Sequence, residues 1–437
     1  MRSPWAKLTG VERITLYPPK GPIEAELRVP GSKSATNRAL LLAGFAKGPS
    51  KLFGILKSDD AYWATEALRS LGVGVSIEGE TARVEGGGPR TEEAEVFVGS
   101  AGTLARFLTA MLAFTPGRWT LTASPQMQRR PIAPLLEALK TLGVGVTYLE
   151  EEGRFPFVLE GKKIPGGEVQ ISGATSSQFV SALLLAGALA EGPLFVRVEG
   201  DVVQPDYVRI TTRMMEDFGA QVEERPGGFL VHPTGYRGRE LELEADASSA
   251  AYFFALAAAS GGRVRVTNLG TDTLQPDLGF VDVLARMGAR VKKAKTETEV
   301  IGPKKLMGGF RQSLLLMSDQ TPTLAALAVF ADAPIEIREV AHVRHHETDR
   351  IAVMAEELKK AGIQVEEFAD GLRVHPGTPR PVVLDSHDDH RVAMSLALLS
   401  LRAPGLTIAD PGAVSKTFPD YFDRLAELGF ILKTHER

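Results

Sequence analysis

The side chains that could do chemistry sit at the starts of apolar stretches. "GSKSATNRALLLAGF" places Lys33, Ser34 and Arg38 there. "SAGTLARF" offers Gly102, Thr103 and Arg106, and "ATSSQF" offers Ser176, Ser177 and Gln178. Asp246 and Ser248 stand in "DASSA", Asp319 in "SDQTP", and His390 with Arg391 in "DDHR". Turn-like segments add Arg130 in "QRRPI", Arg344 and Arg350 in "RHHETDR", and Lys416 in "VSKTFPDYF". Capping a helix takes one Ser, Thr or Asp, so the lysines and arginines exceed the structural need. Cations gathered in this way repel one another unless a polyanion sits among them. Helix N-termini add unpaired N–H groups and partial positive charge at the same places. The pattern is that of an anion-binding surface. Asp319 and Glu347 are carboxylates among those cations. They add nothing to anion binding and instead suit proton transfer beside an anionic substrate.

Placing such groups six times over needs a repeated scaffold, and the sequence carries one. A helical stretch ending apolar-Gly and followed by a strand recurs as "LRSLGVGV", "LKTLGVGV", "MEDFGAQV", "LARMGARV", "LKKAGIQV" and "LAELGFIL". Its glycines are Gly72, Gly143, Gly219, Gly288, Gly362 and Gly429, spaced 71, 76, 69, 74 and 67 residues apart. Each suits the position just past a helix, where a positive φ is cheap only for glycine. Ahead of each lies a polar cluster and a small-residue-rich helix that is apolar nearly all round, which predicts burial. The second helices, such as "PLLEALKTLG", are amphipathic and predict an outer cover. Short alternating strands such as "GFLVHP" and "GLRVHP" lie between. Each repeat reads as strand, buried helix, strand, surface helix, strand, strand.

The expected fold class is therefore α/β, with two similar domains of three βαβαββ repeats each around buried parallel helices, an inside-out α/β barrel. Residues 31–245 are expected to form one domain. Residues 1–30 with 246–437 form the other, completed by the N-terminal strands "RITLYP" and "AELRVP". Parallel buried helices would open their N-termini on one face of each domain, and two opposed faces would make an anion-binding cleft.

Composition narrows the function class. A chain of 437 residues has room for two or three domains. Its 44% hydrophobic and 24% charged residues are those of a globular protein. A net charge of −4 gives no global basic field for nucleic acid or an anionic membrane. Cysteine is absent, which excludes disulfides, a thiolate-bound zinc and a cysteine nucleophile. "MRSPWAKLTG" has no apolar core of a signal peptide. Runs such as "YFFALAAA" fall far short of the ~20 residues that span a bilayer, so a cytoplasmic location is expected. "GSKS" is not a P-loop, because Gly31 is followed by Ser32 rather than by lysine and Glu26 stands five residues earlier, where that motif has its first glycine. "HHETDR" is not HExxH, because Arg350 takes the second histidine's place. Five of the eight histidines lie in "HVRHHE" and "HDDH", but Arg344, Arg350 and Arg391 would crowd a cation there, so no metal is expected.

The motifs "PGSKSATNRALLLA", "SAGTLARF", "RRPI", "ATSSQF", "DASSAAYF", "ETDR", "DDHR" and "KTFPDYF" follow one another along nearly the whole chain. As a set they closely resemble those of the 5-enolpyruvylshikimate-3-phosphate synthases. The resemblance implies two domains that close like a clamshell once anions arrive. It implies transfer of the enolpyruvyl group of phosphoenolpyruvate to the 5-hydroxyl of 3-phosphoshikimate with release of phosphate, a step toward the aromatic amino acids. Lys33, Gly102, Arg130, Gln178, Arg350, Arg391 and Lys416 would hold phosphoenolpyruvate. Ser34 and Arg38 would take the shikimate carboxylate; Ser176, Ser177 and Tyr207 its phosphate. Lys33, Thr103, Gln178, Asp319, His342 and His346 complete the 3-phosphoshikimate set. Asp319 would accept the hydroxyl proton, and Glu347 and Lys33 would handle protons at the enol and the leaving phosphate. No cofactor is implied; the partners are the two small-molecule substrates, and a monomer is expected.

Two other readings stay in view. The related enolpyruvyl transferases acting on UDP-N-acetylglucosamine share "DASSA", but usually carry an active-site cysteine and lack the "DDHR…KTFPDYF" ending. A non-enzymatic anion-binding repeat protein would share the fold. The sequence departs from the family pattern at His346 (commonly Lys), His342 (often Asn), Gln204 (often Ser), Ser100 (often Asn) and Phe107 (often Pro). Gly102 leaves the room that an alanine would fill, so the resemblance implies sensitivity to the inhibitor glyphosate.

Overall fold

The structure, a computed structural model, describes residues 1–437. The chain forms two compact units. One is Gly31–Leu243 with Met1, the other Arg2–Pro30 with Glu244–Arg437. Six four-stranded sheets share one topology. In the second repeat, Glu93–Phe97 pairs in parallel with Gly117–Thr122, which pairs antiparallel with Phe157–Gly161. Gly145–Tyr148 closes the edge against Phe157–Gly161. The parallel pair needs a helical crossover, and the antiparallel pair only a turn. The second repeat supplies both.

Two short strands do not serve the helix they precede. Glu24–Leu27 leads toward the first buried helix yet pairs with Arg263–Val266 of the second unit. Glu240–Glu242 leads toward the fourth buried helix yet pairs with Ser50–Phe53 of the first. Val11–Tyr17 lies between Leu406–Ala409 and Ile431–Glu436, filling the last sheet.

The core of each unit is three helices, as the all-round apolar pattern requires. They are Lys33–Phe45, Gly102–Ala113 and Ser177–Gly187 in the first unit. Ala247–Ser260, Thr321–Ala328 and His390–Ala397 fill the second. Every residue of Gly102–Ala113 is buried. Leu40, Leu41 and Leu42 expose nothing, and each such side chain contributes about 1.5–3 kcal/mol. Small residues let the helices approach: a Cβ on Gly44 would meet Leu68 Cδ2 at 2.4 Å. The outer helices, from Asp59–Ser70 to Tyr421–Glu427, each run through one apolar cap residue into the repeated glycine, and all six glycines have positive φ. No helix is long and apolar enough to cross a membrane.

Four of the six buried helices are capped by a side chain at the start: Ser32, Ser176, Asp246 and Asp389. The helices opening at Gly102 and Thr321 have no side-chain cap. At Thr321 the preceding 3-10 turn takes up the first N–H, which donates to the Ser318 carbonyl, and Pro322 has none; at Gly102 no side chain takes up the first N–H groups.

Candidate active site

The helix starts of the first unit gather cations, and Arg38 among them is held by neutral oxygens. Arg38 lies one turn inside the first buried helix and is 1% exposed. Its Nε donates to Thr211 Oγ1 at 2.8 Å, Nη1 to the Ser34 carbonyl at 3.2 Å and Nη2 to the Tyr207 carbonyl at 3.4 Å. The guanidinium stands 4.9 Å from the centre of the Phe107 ring. Burial pushes its pKa down to about 10. Arg106 donates to Gln178 Oε1 at 2.7 Å, to Ser176 Oγ at 3.4 Å and to the Pro131 carbonyl at 2.9 Å. Asn37 Nδ2 donates to Thr103 Oγ1 at 2.8 Å, joining the first two helix starts. A Cβ on Gly102 would sit 2.9 Å from Arg130 Nη1, so the glycine lets that guanidinium approach the uncapped helix start. Lys33 opens the first helix and Ser177 the third.

The second unit answers with cations that meet carboxylates. Arg350, also 1% exposed, donates from Nε to Asp389 Oδ2 at 2.9 Å, from Nη1 to Asp319 Oδ1 at 3.1 Å and from Nη2 to Glu347 Oε2 at 2.7 Å. Arg391 Nη2 reaches Asp319 Oδ2 at 3.4 Å, and Lys416 Nζ reaches Glu347 Oε1 at 2.7 Å. Burial opposes the charge of Arg350, but Asp389, Glu347 and Asp319 outweigh it and hold the group above its ordinary value. The same holds for Arg391, with Asp319 foremost among its neighbours. Arg350 Nη1 also donates to His346 Nδ1 at 3.1 Å. A guanidinium only donates, so the neutral ring carries its proton on Nε2. His342 Nε2 bonds Ser318 Oγ at 2.7 Å, and burial lowers its pKa. Asp319 is thus spanned by two arginines and Glu347 by an arginine and a lysine. Such an arrangement can hold an anion and move a proton beside it.

Comparison with known proteins fits this chemistry. The family model described as EPSP synthase (3-phosphoshikimate 1-carboxyvinyltransferase) matches residues 18–425. The chain belongs to the EPSP synthase family. It is 47% identical over 433 residues to the 3-phosphoshikimate 1-carboxyvinyltransferase 2 of Halalkalibacterium halodurans, covering 98% of this chain and 97% of that one. It is 39% identical over 413 residues to the 3-phosphoshikimate 1-carboxyvinyltransferase of Trichormus variabilis, covering 93% and 97%. The solved EPSP synthase of Acinetobacter baumannii superposes with a TM-score of 0.81 at 25% identity, covering 97% of this chain and all of that one.

Within this chain the expected residues fall into linked groups. Asp319, His346, Glu347, Arg350, Arg391 and Lys416 form one connected set, with His342 attached at the neighbouring Ser318. Ser176 and Gln178 are joined through Arg106, and Ser34 and Tyr207 through Arg38 by their carbonyls. The histidines of "HVRHHE" and "HDDH" do not converge: His387 Nε2 turns to Glu357 Oε1 at 2.7 Å, and His390 is buried beside Asp389. Sequence reasoning did not single out Asp389, which caps the last buried helix and holds Arg350. It also passed over Asp277 and Thr211. The "DDHR" motif contains Asp389, but a cap residue and an ion-pair partner look alike until the fold brings Arg350 beside it.

Proposed function

We propose that this chain transfers the enolpyruvyl group of phosphoenolpyruvate to the 5-hydroxyl of 3-phosphoshikimate and releases phosphate. The observation that carries the reading is Asp319 bonded to both Arg350 and Arg391, with Glu347 bonded to Arg350 and Lys416. In the addition step the 5-oxygen bonds to C2 of the enol. Its proton passes to Asp319, and C3 gains a proton from Glu347 or Lys33. In the elimination step C3 gives a proton back and the C2–O bond to phosphate breaks. Lys33 and Glu347 serve the leaving phosphate, and the double bond is restored. Gly102, Arg130, Gln178, Arg350, Arg391 and Lys416 hold phosphoenolpyruvate, with guanidinium forks matched to carboxylate and phosphate. Arg38, with Ser34, receives the shikimate carboxylate; its buried charge without a carboxylate partner supports that role. Ser176, Ser177 and Tyr207 receive the phosphate, and Thr103, His342 and His346 the remaining polar groups.

A coupled phosphate-release assay tests the reading. Release is expected only when both substrates are present. Release with UDP-N-acetylglucosamine in place of 3-phosphoshikimate, or none with either acceptor, would reject it. We also propose a cytoplasmic monomer. A sedimentation mass near 47.0 kDa supports the monomer, and twice that mass rejects it.

A further inference from the structure

We propose that Asp277 is a positioning residue for Asp319: it fixes the segment that carries Asp319 and lends it negative charge. The inference rests on the reading of Asp319 as acceptor of the hydroxyl proton.

Asp277 lies in the 3-10 turn Pro276–Gly279 and is 2% exposed. That turn is pinned to the start of the fourth buried helix: Gln275 Oε1 accepts from the Ala247 N–H at 2.9 Å, and its Nε2 donates to the Ala245 carbonyl at 2.7 Å. Asp277 Oδ2 accepts from Ser248 Oγ at 2.9 Å and from Gln320 Nε2 at 2.6 Å. Gln320 makes no other side-chain hydrogen bond, and its buried Oε1 has no partner. Asp277 alone therefore holds the Gln320 side chain, and Asp319 is the adjacent residue. Met317 packs on the same turn, its Cε 3.3 Å from where a Cβ on Gly279 would lie.

A neutral acceptor would hold Gln320 as well, so the charge calls for its own explanation. Burying a carboxylate is costly, and this one faces Asp319 and Arg391. A nearby like charge raises the proton affinity of a carboxylate, which makes Asp319 a better base while Arg350 and Arg391 keep it in place. His346, at 3.7 Å, and His342 by way of Ser318 also face Asp319.

Asp277→Asn keeps the shape and an acceptor oxygen but removes the charge; Asp277→Ala removes both. In Asp277→Asn kcat is expected to fall about tenfold with both KM values within about twofold, and in Asp277→Ala about a hundredfold. The titration of the Asp319 carboxyl, followed by carbon-13 NMR, should move down by about one pH unit in Asp277→Asn. Wild-type kcat with an unmoved Asp319 titration in Asp277→Asn would overturn the proposal. Asp319→Asn, measured alongside, separates the two readings. Full activity there removes the base role of Asp319, whereas the NMR shift reports on Asp277 regardless of turnover.

Discussion

Arg38 and Arg350 are buried to the same 1% exposure, one in each unit, and their surroundings are opposite. Arg38 is held by hydroxyl and carbonyl oxygens and sits over an aromatic ring. Arg350 is held by three carboxylates. The first is short of negative charge; the second brings its own. A buried cation without a counter-ion is stable at a cost and gains when an anion arrives. A cation already matched holds its carboxylates in fixed places, where they can trade protons with a substrate. Arg38 is thus left with an unmet demand for an anion, whereas Arg350 has its demand met within its own unit.

The largest effect should come from breaking the matched side. Arg350→Met leaves Asp319, Glu347 and Asp389 without their shared cation, and a denaturant titration should show a loss of about 3–5 kcal/mol. An unchanged stability would mean that the carboxylates never depended on it. Arg38→Met strands no carboxylate, so its stability should stay within about 1 kcal/mol of wild type. Its KM for 3-phosphoshikimate should rise about a hundredfold, the cost of losing a charged hydrogen-bonding partner.

The unmet demand also has a thermodynamic signature. Burial holds the folded value of Arg38, about 10, below that of a solvated guanidinium. The burial cost is therefore present in full at every pH below about 10 and fades only as pH rises from there toward the value of a solvated guanidinium. Binding should offset it: 3-phosphoshikimate at a hundred times its Kd should stabilise the wild type by about 2.7 kcal/mol, and the same concentration should do little for Arg38→Met. Equal thermal shifts in the two proteins would break the contrast.

Asp277 sharpens the comparison on the acidic side. Burial first, and Asp319 second, push its carboxyl from 3.8 up to about 6. A carboxyl raised on folding favours the folded state fully below 3.8, and that benefit is lost as pH rises through about 6. Asp277→Asn should therefore be more stable than wild type at pH 8, by an amount on the order of 1–3 kcal/mol. Near pH 4 the two should converge. The smallest effect expected is that of Gly102→Ala. Its methyl would come 2.9 Å from Arg130 Nη1, the movable end of a long side chain. KM for phosphoenolpyruvate should rise about threefold to tenfold, equivalent to about 1 kcal/mol, and inhibition by glyphosate should weaken more than that. An unchanged inhibition constant would show that Gly102 is not at the anion site.

What could be read from the sequence was what repeats or what is local. Six glycines at the same place in six helices, and six apolar helices behind polar clusters, are regularities of spacing and composition. The structure keeps them as positive-φ ends and buried cores. Helix starts were legible because caps and cations are neighbours in sequence. Pairings across distance were not. The strand Glu240–Glu242 serves a sheet whose next strand begins at Ser50. Asp389 meets Arg350, and Asp277 meets Gln320, only after folding. Arg38 stands out in the sequence as a cation beyond capping need, but that Thr211 and Phe107 surround it could not be read there. Charge in excess of capping need could be counted beforehand, but not which charges would be matched.

The most direct test of the account is one phosphorus-31 NMR time course with wild-type protein, phosphoenolpyruvate and 3-phosphoshikimate at neutral pH. The expected result is loss of both substrate signals, with inorganic phosphate and one new phosphomonoester appearing in equal amounts. Inorganic phosphate without the new phosphomonoester would mean hydrolysis rather than transfer. That result, or two unchanged substrate signals, would contradict it.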